Sequence, residues 1–360
     1  MREVYSVSPL VEDQGDNNQL IEQMRLDLKA VSKDTEVLQL PEVDFERHLQ
    51  VLMDYHNQSL RSTRVEGPLK FSVDALYGYD TDKKTVFIDV GSVLGAKTVP
   101  PLARAPLMST SHGLGELLKK VVKNNTEHIV FLNVENIATD LGLGMLESLG
   151  VIFYADNGRQ INITGGKIGQ IASFSYEKLD SKWLQCDYEI WSDTKTFGPL
   201  FGEHGLAIRN QELTGASFAI AKLLDKQTAS CVNEIDKLLK KVSPEPEHLS
   251  AGNGLAFACF NFFKQVRVED ELEALIDYLD ISEHLGAINY FIILDRNTHL
   301  RQLLATYELP VIVISRISSL ADRLPNEVHL LLADLLEEDP QLFSQQLAEN
   351  LRLLYFRESY

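Results

Sequence analysis

Cysteine is scarce in this chain of 360 residues: three, at Cys186, Cys231 and Cys259, far apart and with no Cys-x-x-Cys pair. That excludes a disulfide framework and a thiolate zinc site, and it suits a reducing cytoplasm with the thiols buried as small apolar groups. Long apolar runs are absent too. The longest, such as residues 310–314, are strand-length and too short to cross a bilayer. Positive charge is in deficit, with 34 Lys and Arg against 52 Asp and Glu and a net charge of −18. This argues against nucleic acid or an anionic membrane as partner. Nine histidines form no His-Glu-x-x-His or other metal spacing. The first residues, Met1-Arg2-Glu3-Val4, run into acids and carry no secretory pattern, so a cytoplasmic location is expected.

What is present is ordinary soluble composition, 44% hydrophobic and 24% charged, over a length that favours two domains. Residues 4–7 read as a strand. Leu20, Met24, Leu28 and Val31 follow at helical spacing after the cap candidates Asp16 and Asn17, and residues 37–40 read as the next strand. This β-α-β order implies a parallel pair. The character then changes. Phe71, Val73, Ala75, Tyr77 and Tyr79 alternate with smaller or polar residues, as in an antiparallel strand returning through residues 85–90. Asp156-Asn157-Gly158 marks a hairpin. Residues 214–242 predict a long helix ended by Ser243-Pro244-Glu245-Pro246. Residues 290–294 and 311–314 are fully apolar runs of the buried parallel type, and Phe343, Leu347, Leu351 and Leu354 line one stripe of a final helix. Trp183, Tyr188 and Trp191 read as core aromatics, and Glu269-Asp270-Glu271 as a solvated helix start. The expectation is an α/β fold: a Rossmann-like parallel-sheet domain from both chain ends, residues 1–66 and 255–360, and an inserted mixed α+β domain over 67–254, with boundaries near Gly67-Pro68 and residues 250–254.

The stretch 132–150 follows the apolar run 128–131 and opens a helix. Strand, turn and helix in that order cradle phosphates. Asp140, Gly142, Gly144, Met145, Leu149 and Gly150 resemble the N-D-G-G-x-G-M-x-x-A-L-G signature of bacterial glycerate kinases of the first type. A second motif is similar to that family's V-P-P, R-N-P and T-T-S-Y-G-T-G-E-L pattern: Val99-Pro100-Pro101, Arg104 and residues 106–117, including Ser111, Gly113, Gly115 and Glu116. Residues 199–207, with Asp193 upstream, and residues 251–258 resemble two further motifs, although Asp193 is displaced by two residues. The resemblance implies a two-domain glycerate-kinase-like fold, and it implies ATP, Mg²⁺ and transfer of a phosphoryl group to glycerate in a cleft between the domains.

Departures fall where that chemistry needs the family pattern. Val134-Glu135-Asn136 replaces G-G-S, and the acid has the wrong charge for a phosphate loop. Leu10-Val11-Glu12-Asp13-Gln14 replaces D-S-F-K-G, and residues 43–49 keep only Asp44 of A-D-G-G-E-G-T. The segment expected after residue 293 is shortened at Asp295. Phosphoryl transfer relies on amides and cations placed around phosphate oxygens. The reading is therefore a catalytically impaired paralogue, a pseudokinase with a binding or regulatory role in sugar-acid metabolism. It has no catalytic residue, no resident metal and no cofactor. Its remnant ligand cleft is expected at Arg104, Ser111, Gly113, Gly115, Asp140, Asp193 and Asp44, with a small anion or sugar acid as ligand. Arg104 would bring charge and the helix start at 111–115 would bring amides. A divergent active kinase using ATP and Mg²⁺ is the alternative. A structural partner of an authentic kinase, as homo- or hetero-oligomer, is the third reading.

Overall fold

The structure is a computed structural model that describes residues 3–7, 14–31, 35–39, 48–241, 243, 245–278, 290–294, 301, 310–314 and 327–358. The chain begins with β1 (Glu3–Val7), α1 (Gln14–Val31) and β2 (Thr35–Gln39). It continues with α2 (His48–Tyr55), β3 (Arg61–Glu66), β4 (Ser72–Asp80), β5 (Thr85–Asp89), α3 (Val90–Leu94), α4 (His112–Val121), β6 (His128–Leu132) and α5 (Leu143–Leu149). Next come β7 (Ile152–Tyr154), β8 (Gln160–Ile161), β9 (Ser173–Ser175), β10 (Asp187–Ser192), α6 (Leu206–Arg209), α7 (Gln211–Thr214), α8 (Phe218–Leu239), α9 (Leu255–Phe262), β11 (Gln265–Asp270) and α10 (Glu271–Tyr278). The last elements are β12 (Tyr290–Leu294), β13 (Val311–Ile314), β14 (Glu327–Leu330), α11 (Ala333–Glu338) and α12 (Pro340–Glu358).

Two compact units result: residues 1–44 with 276–360, and residues 45–275. In the first, five strands run in the order β14-β13-β12-β1-β2, every neighbouring pair parallel. Both chain ends thus contribute to one sheet. Branched residues suit strands buried in a parallel sheet: Ile292, Ile312 and Ile314 pack with Leu20, Ile21, Met24 and Leu28 of α1 and with Phe343, Leu347 and Leu351 of α12. Ser344 of α12 donates to Asp27 of α1 at 2.7 Å, fixing the rotation of one helix on the other.

The second unit holds a six-stranded sheet, β11-β10-β6-β5-β4-β3. The β3-β4-β5 part is antiparallel, and β5-β6-β10-β11 is parallel. All of β5 is buried. Its core includes Trp183, and Tyr188 stacks on Phe263 with ring centroids 4.0 Å apart. The hairpin at Asp156-Asn157-Gly158 joins β7 to β8 in a small sheet with β9, and Gly158 takes a φ of +74°.

Three expectations need correction. The boundaries lie at 44/45 and 275/276 rather than 66/67 and 254/255, because β3 pairs along its length with β4 and β11 pairs with β10. Asp16 and Asn17 sit inside α1 rather than capping it. The long helix is continuous but shorter at both ends, Phe218–Leu239: Gly215, at φ +75°, ends the preceding α7, and Ser217 caps α8 through the Ile220 amide. Leu354 and Val242 lie outside the residues whose side chains are described.

Candidate functional site

Parallel strands bring their carboxyl ends to one edge, where open α/β sheets usually bind ligands. In the second unit β5 ends at Asp89, β6 at Leu132, β10 at Ser192 and β11 at Asp270. A string of polar groups forms there. Asp89 Oδ1 accepts from the Ser92 amide and from Asn133 Nδ2, both at 2.9 Å. The Asn133 amide donates to Glu271 Oε1 at 2.9 Å, and His48 Nδ1 lies 2.7 Å from the same oxygen. Asn133 holds a left-handed backbone, φ +49°, that turns its amide toward Glu271 as β6 ends. Burial pushes the Asp89 carboxyl up, and the charge of Glu271 adds to this; hydrogen bonds from Ser92 and Asn133 pull back. Two carboxylates beside one imidazole can hold hydroxyls and repel phosphate. Mg²⁺, the family's ion, demands octahedral oxygen coordination. Asp89 Oδ1 and Glu271 Oε1 each already serve two partners, which leaves the second oxygen of each carboxylate for an ion that needs six ligands.

The loop after β6 is bonded to itself and to the start of α9. Asn136 donates to the carbonyls of Val134 at 3.1 Å and Gly252 at 2.6 Å, and its oxygen accepts from the Ala138 amide. Asn253 donates to the carbonyls of Ala138 at 2.7 Å and Asn136 at 3.3 Å. Val134 is buried and Glu135 is exposed. Asp140 is fully buried. It accepts from the Ser111 amide at 2.6 Å, the Ser111 hydroxyl at 3.0 Å, and the Gly142 and Gly144 amides at 3.2 Å. Ser111 in turn accepts from the Met145 amide at 2.9 Å. One carboxylate therefore ties the starts of α4 and α5 together. Burial raises its pKa, and the donors oppose the shift.

The other residues expected in the cleft have equally internal partners. Arg104 donates to the carbonyls of Leu213 at 2.9 Å, Ala96 at 3.1 Å, Glu212 at 3.3 Å and Val99 at 3.4 Å. It secures the end of α7 rather than holding its charge ready for an anion. Ser111 makes no side-chain cap on α4, because its hydroxyl serves Asp140 and Met145. A Cβ at Gly113 would strike the Glu66 carbonyl oxygen, and one at Gly115 the Met145 carbonyl oxygen and Ser148, so both glycines let α4 lie close against β3 and α5. Asp193 caps a short 3₁₀ turn through the Lys195 amide at 2.9 Å. Ser111 and Asp140 thus meet in one knot with Gly142, Gly144 and Met145, while Gly113 and Gly115 pack α4 on β3 and α5, and Arg104 and Asp193 bond elsewhere. Asp44, Phe45, Arg47, Asp295 and residues 10–13 lie outside the described residues. His48, Asp89, Asn133 and Glu271 escaped the sequence reading. Carboxylates at the ends of apolar runs were the signal for Asp89 and Glu271, which had passed as a strand end and a solvated helix start.

A family model described as the glycerate kinase family matches residues 16–294. The chain belongs to the glycerate kinase family. A glycerate kinase of Bacillus cereus is 31% identical over 242 residues, 67% of this chain and 62% of the relative. A glycerate kinase of Halalkalibacterium halodurans is 31% identical over 215 residues, 59% of this chain and 56% of the relative. Glycerate 2-kinase of Escherichia coli is 28% identical over 225 residues, 62% of this chain and 58% of the relative. The chain spans about three fifths of the length of these relatives. A Salmonella typhimurium LT2 crystal structure, provisionally described as glycerate kinase 2, superposes with a TM-score of 0.78 at 22% identity and covers both chains completely. That likeness establishes the shared mixed α/β fold of this glycerate kinase family member. Among its described residues no helix is long and apolar enough to cross a membrane.

Proposed function

We propose that this member of the family keeps the scaffold but does not transfer phosphate from ATP, and acts as a binding or regulatory protein in sugar-acid metabolism. The observation that supports this is the loop after β6. Its Asn136 amide is committed to the carbonyls of Val134 and Gly252, and its exposed side chain is the carboxylate Glu135. Asp89 and Glu271, joined through Asn133 at the same strand edge, add negative charge. Phosphoryl transfer needs amides and cations directed at phosphate oxygens, and this edge offers acids. The free, buried cysteines fit the reducing cytoplasm in which we place the protein.

A second reading, a divergent active kinase, draws on the 31% identity to proteins named glycerate kinase. One assay separates the two. The full chain is incubated with ATP, Mg²⁺ and D-glycerate, and ADP release is coupled to NADH oxidation. The expected rate equals that of the enzyme-free control. Turnover of about 1–100 s⁻¹, usual for kinases, would establish the second reading and end the first.

A further inference from the structure

We propose that Glu66, His112 and Glu116 form a binding site for one divalent transition-metal ion, with Zn²⁺ the best match. The site stands apart from the strand-edge string and does not depend on the functional reading above. Glu66 ends β3; His112 and Glu116 stand one turn apart on α4. Each offers one ligand atom, and the three atoms lie within 4.8 Å of one another.

The decisive atom is His112 Nδ1. It is shielded from solvent and has no hydrogen-bond partner among the described residues. Its nearest carboxylate oxygens are Glu116 Oε1 at 3.8 Å and Glu66 Oε2 at 3.9 Å. Both are too far for a hydrogen bond. A tetrahedral Zn²⁺ at about 2.0–2.1 Å from its ligands sets ligand–ligand distances near 3.4 Å. The two distances from His112 must close by about 0.5 Å, and the two carboxylate oxygens, within 4.8 Å of each other, by at most about 1.4 Å, which rotation about the terminal carboxylate and imidazole torsions supplies.

The backbone is already arranged for this. The missing side chain of Gly113 lets the first turn of α4 rest on Glu66. The Glu66 amide donates to Glu116 Oε2 at 3.1 Å, which leaves Oε1 as the oxygen nearer His112. Two carboxylates and a neutral imidazole sum to −2, matching a dication. The mixed nitrogen and oxygen set favours Zn²⁺ over Mg²⁺ or Ca²⁺, which prefer oxygen alone. The three side chains are 27–41% exposed, so a bound ion retains water in its remaining position. Such an ion would pin the start of α4 to the end of β3.

The rival explanation is a cluster of loose ion pairs around a protonated histidine. Full-length protein stripped with a chelator is titrated with Zn²⁺ alone by calorimetry. Co²⁺ serves as the spectroscopic probe. The expected result is saturable binding of one equivalent and a rise in melting temperature. Binding should weaken about tenfold or more in His112→Asn and Glu116→Gln. Glutamine keeps an acceptor for the Glu66 amide, so that variant retains the local bond, and circular dichroism checks both folds. Absence of saturable Zn²⁺ binding in the wild type overturns the proposal. So do folded variants that bind as the wild type does, which would place the ion on other histidines. If a variant fails to fold, Co²⁺ broadening of wild-type amide resonances decides: centred on Glu66, His112 and Glu116 it sustains the site, and centred elsewhere it removes it.

Discussion

Asp140→Ala should destabilise the second unit far more than it affects any ligand. The carboxylate is fully buried and receives backbone amides from Ser111, Gly142 and Gly144 and the hydroxyls of Ser111 and Thr110. Alanine orphans all of them where water does not replace the acceptor. Each stranded donor costs about 1–3 kcal/mol. The variant also escapes the desolvation of a buried acid, whose size shows in the raised pKa of Asp140. Weighing the two, the net loss is about 3–5 kcal/mol, as for other broken buried charge networks. For a unit of this size that lowers Tm by about 2–4 °C per kcal/mol, or roughly 6–20 °C. Asp140→Asn should cost less, about 1–3 kcal/mol, because one oxygen still faces Ser111 while its NH₂ opposes the Gly142 amide. Thermal unfolding followed by circular dichroism measures both. An Asp140→Ala protein melting within about 2 °C of the wild type would show that the knot carries little stability, and would return Asp140 to the ligand-binding role that its motif suggests.

Arg104→Ala should lose about 1–3 kcal/mol, from the bonds to Leu213 and Ala96, and should respond to phosphate or sulfate as the wild type does. A wild-type Tm raised by millimolar anion, with no rise in the variant, would instead make Arg104 a ligand residue. Glu271→Gln removes a negative charge that raises the Asp89 pKa, so that pKa should fall; carbon-13 NMR of the carboxyl group checks it, and an unchanged value would deny their coupling. The stability Asp89 contributes is full below the ordinary aspartate pKa near ~3.9 and is lost as pH rises through the raised value, so the variant should lose less of it on going to neutral pH.

Apolar periodicity made the first unit readable. The runs at 290–294 and 311–314 have no polar face, and the α1 and α12 stripes meet them in one core. The six-stranded sheet was harder. Arg61–Glu66 is a mostly polar edge strand, and Gln265–Asp270, at the opposite edge, is only partly buried, so neither has the pattern of a core strand. The motif residues stood out in sequence, and the structure gives Asp140, Ser111 and Arg104 partners inside the protein. A buried aspartate flanked by small residues reads the same in sequence whether its oxygens face a ligand or two helix starts. Only distances separate the cases, and for Asp140 they lead to Ser111, Gly142 and Gly144. The string from His48 to Asp89 was invisible for a related reason: its members are scattered along the chain and converge only through sheet order.

The sheet order of the first unit also governs how the chain can fold during synthesis. β1 has β2 on one side and β12 on the other, and β12 follows some 250 residues after β2. At a translation speed of ~5–20 residues per second, its partner emerges roughly 12–50 s later. In that interval residues 45–275 can form a complete unit of their own. The earlier β-α-β segment cannot, because Leu20, Ile21, Met24 and Leu28 find much of their cover on strands and a helix not yet made. The nascent chain therefore carries a finished unit behind an unsatisfied apolar helix, the kind of surface that chaperones hold. Circular permutants that open the chain after α10 and place residues 279–360 ahead of residue 1 would remove that waiting time while leaving the strand order of the sheet in place.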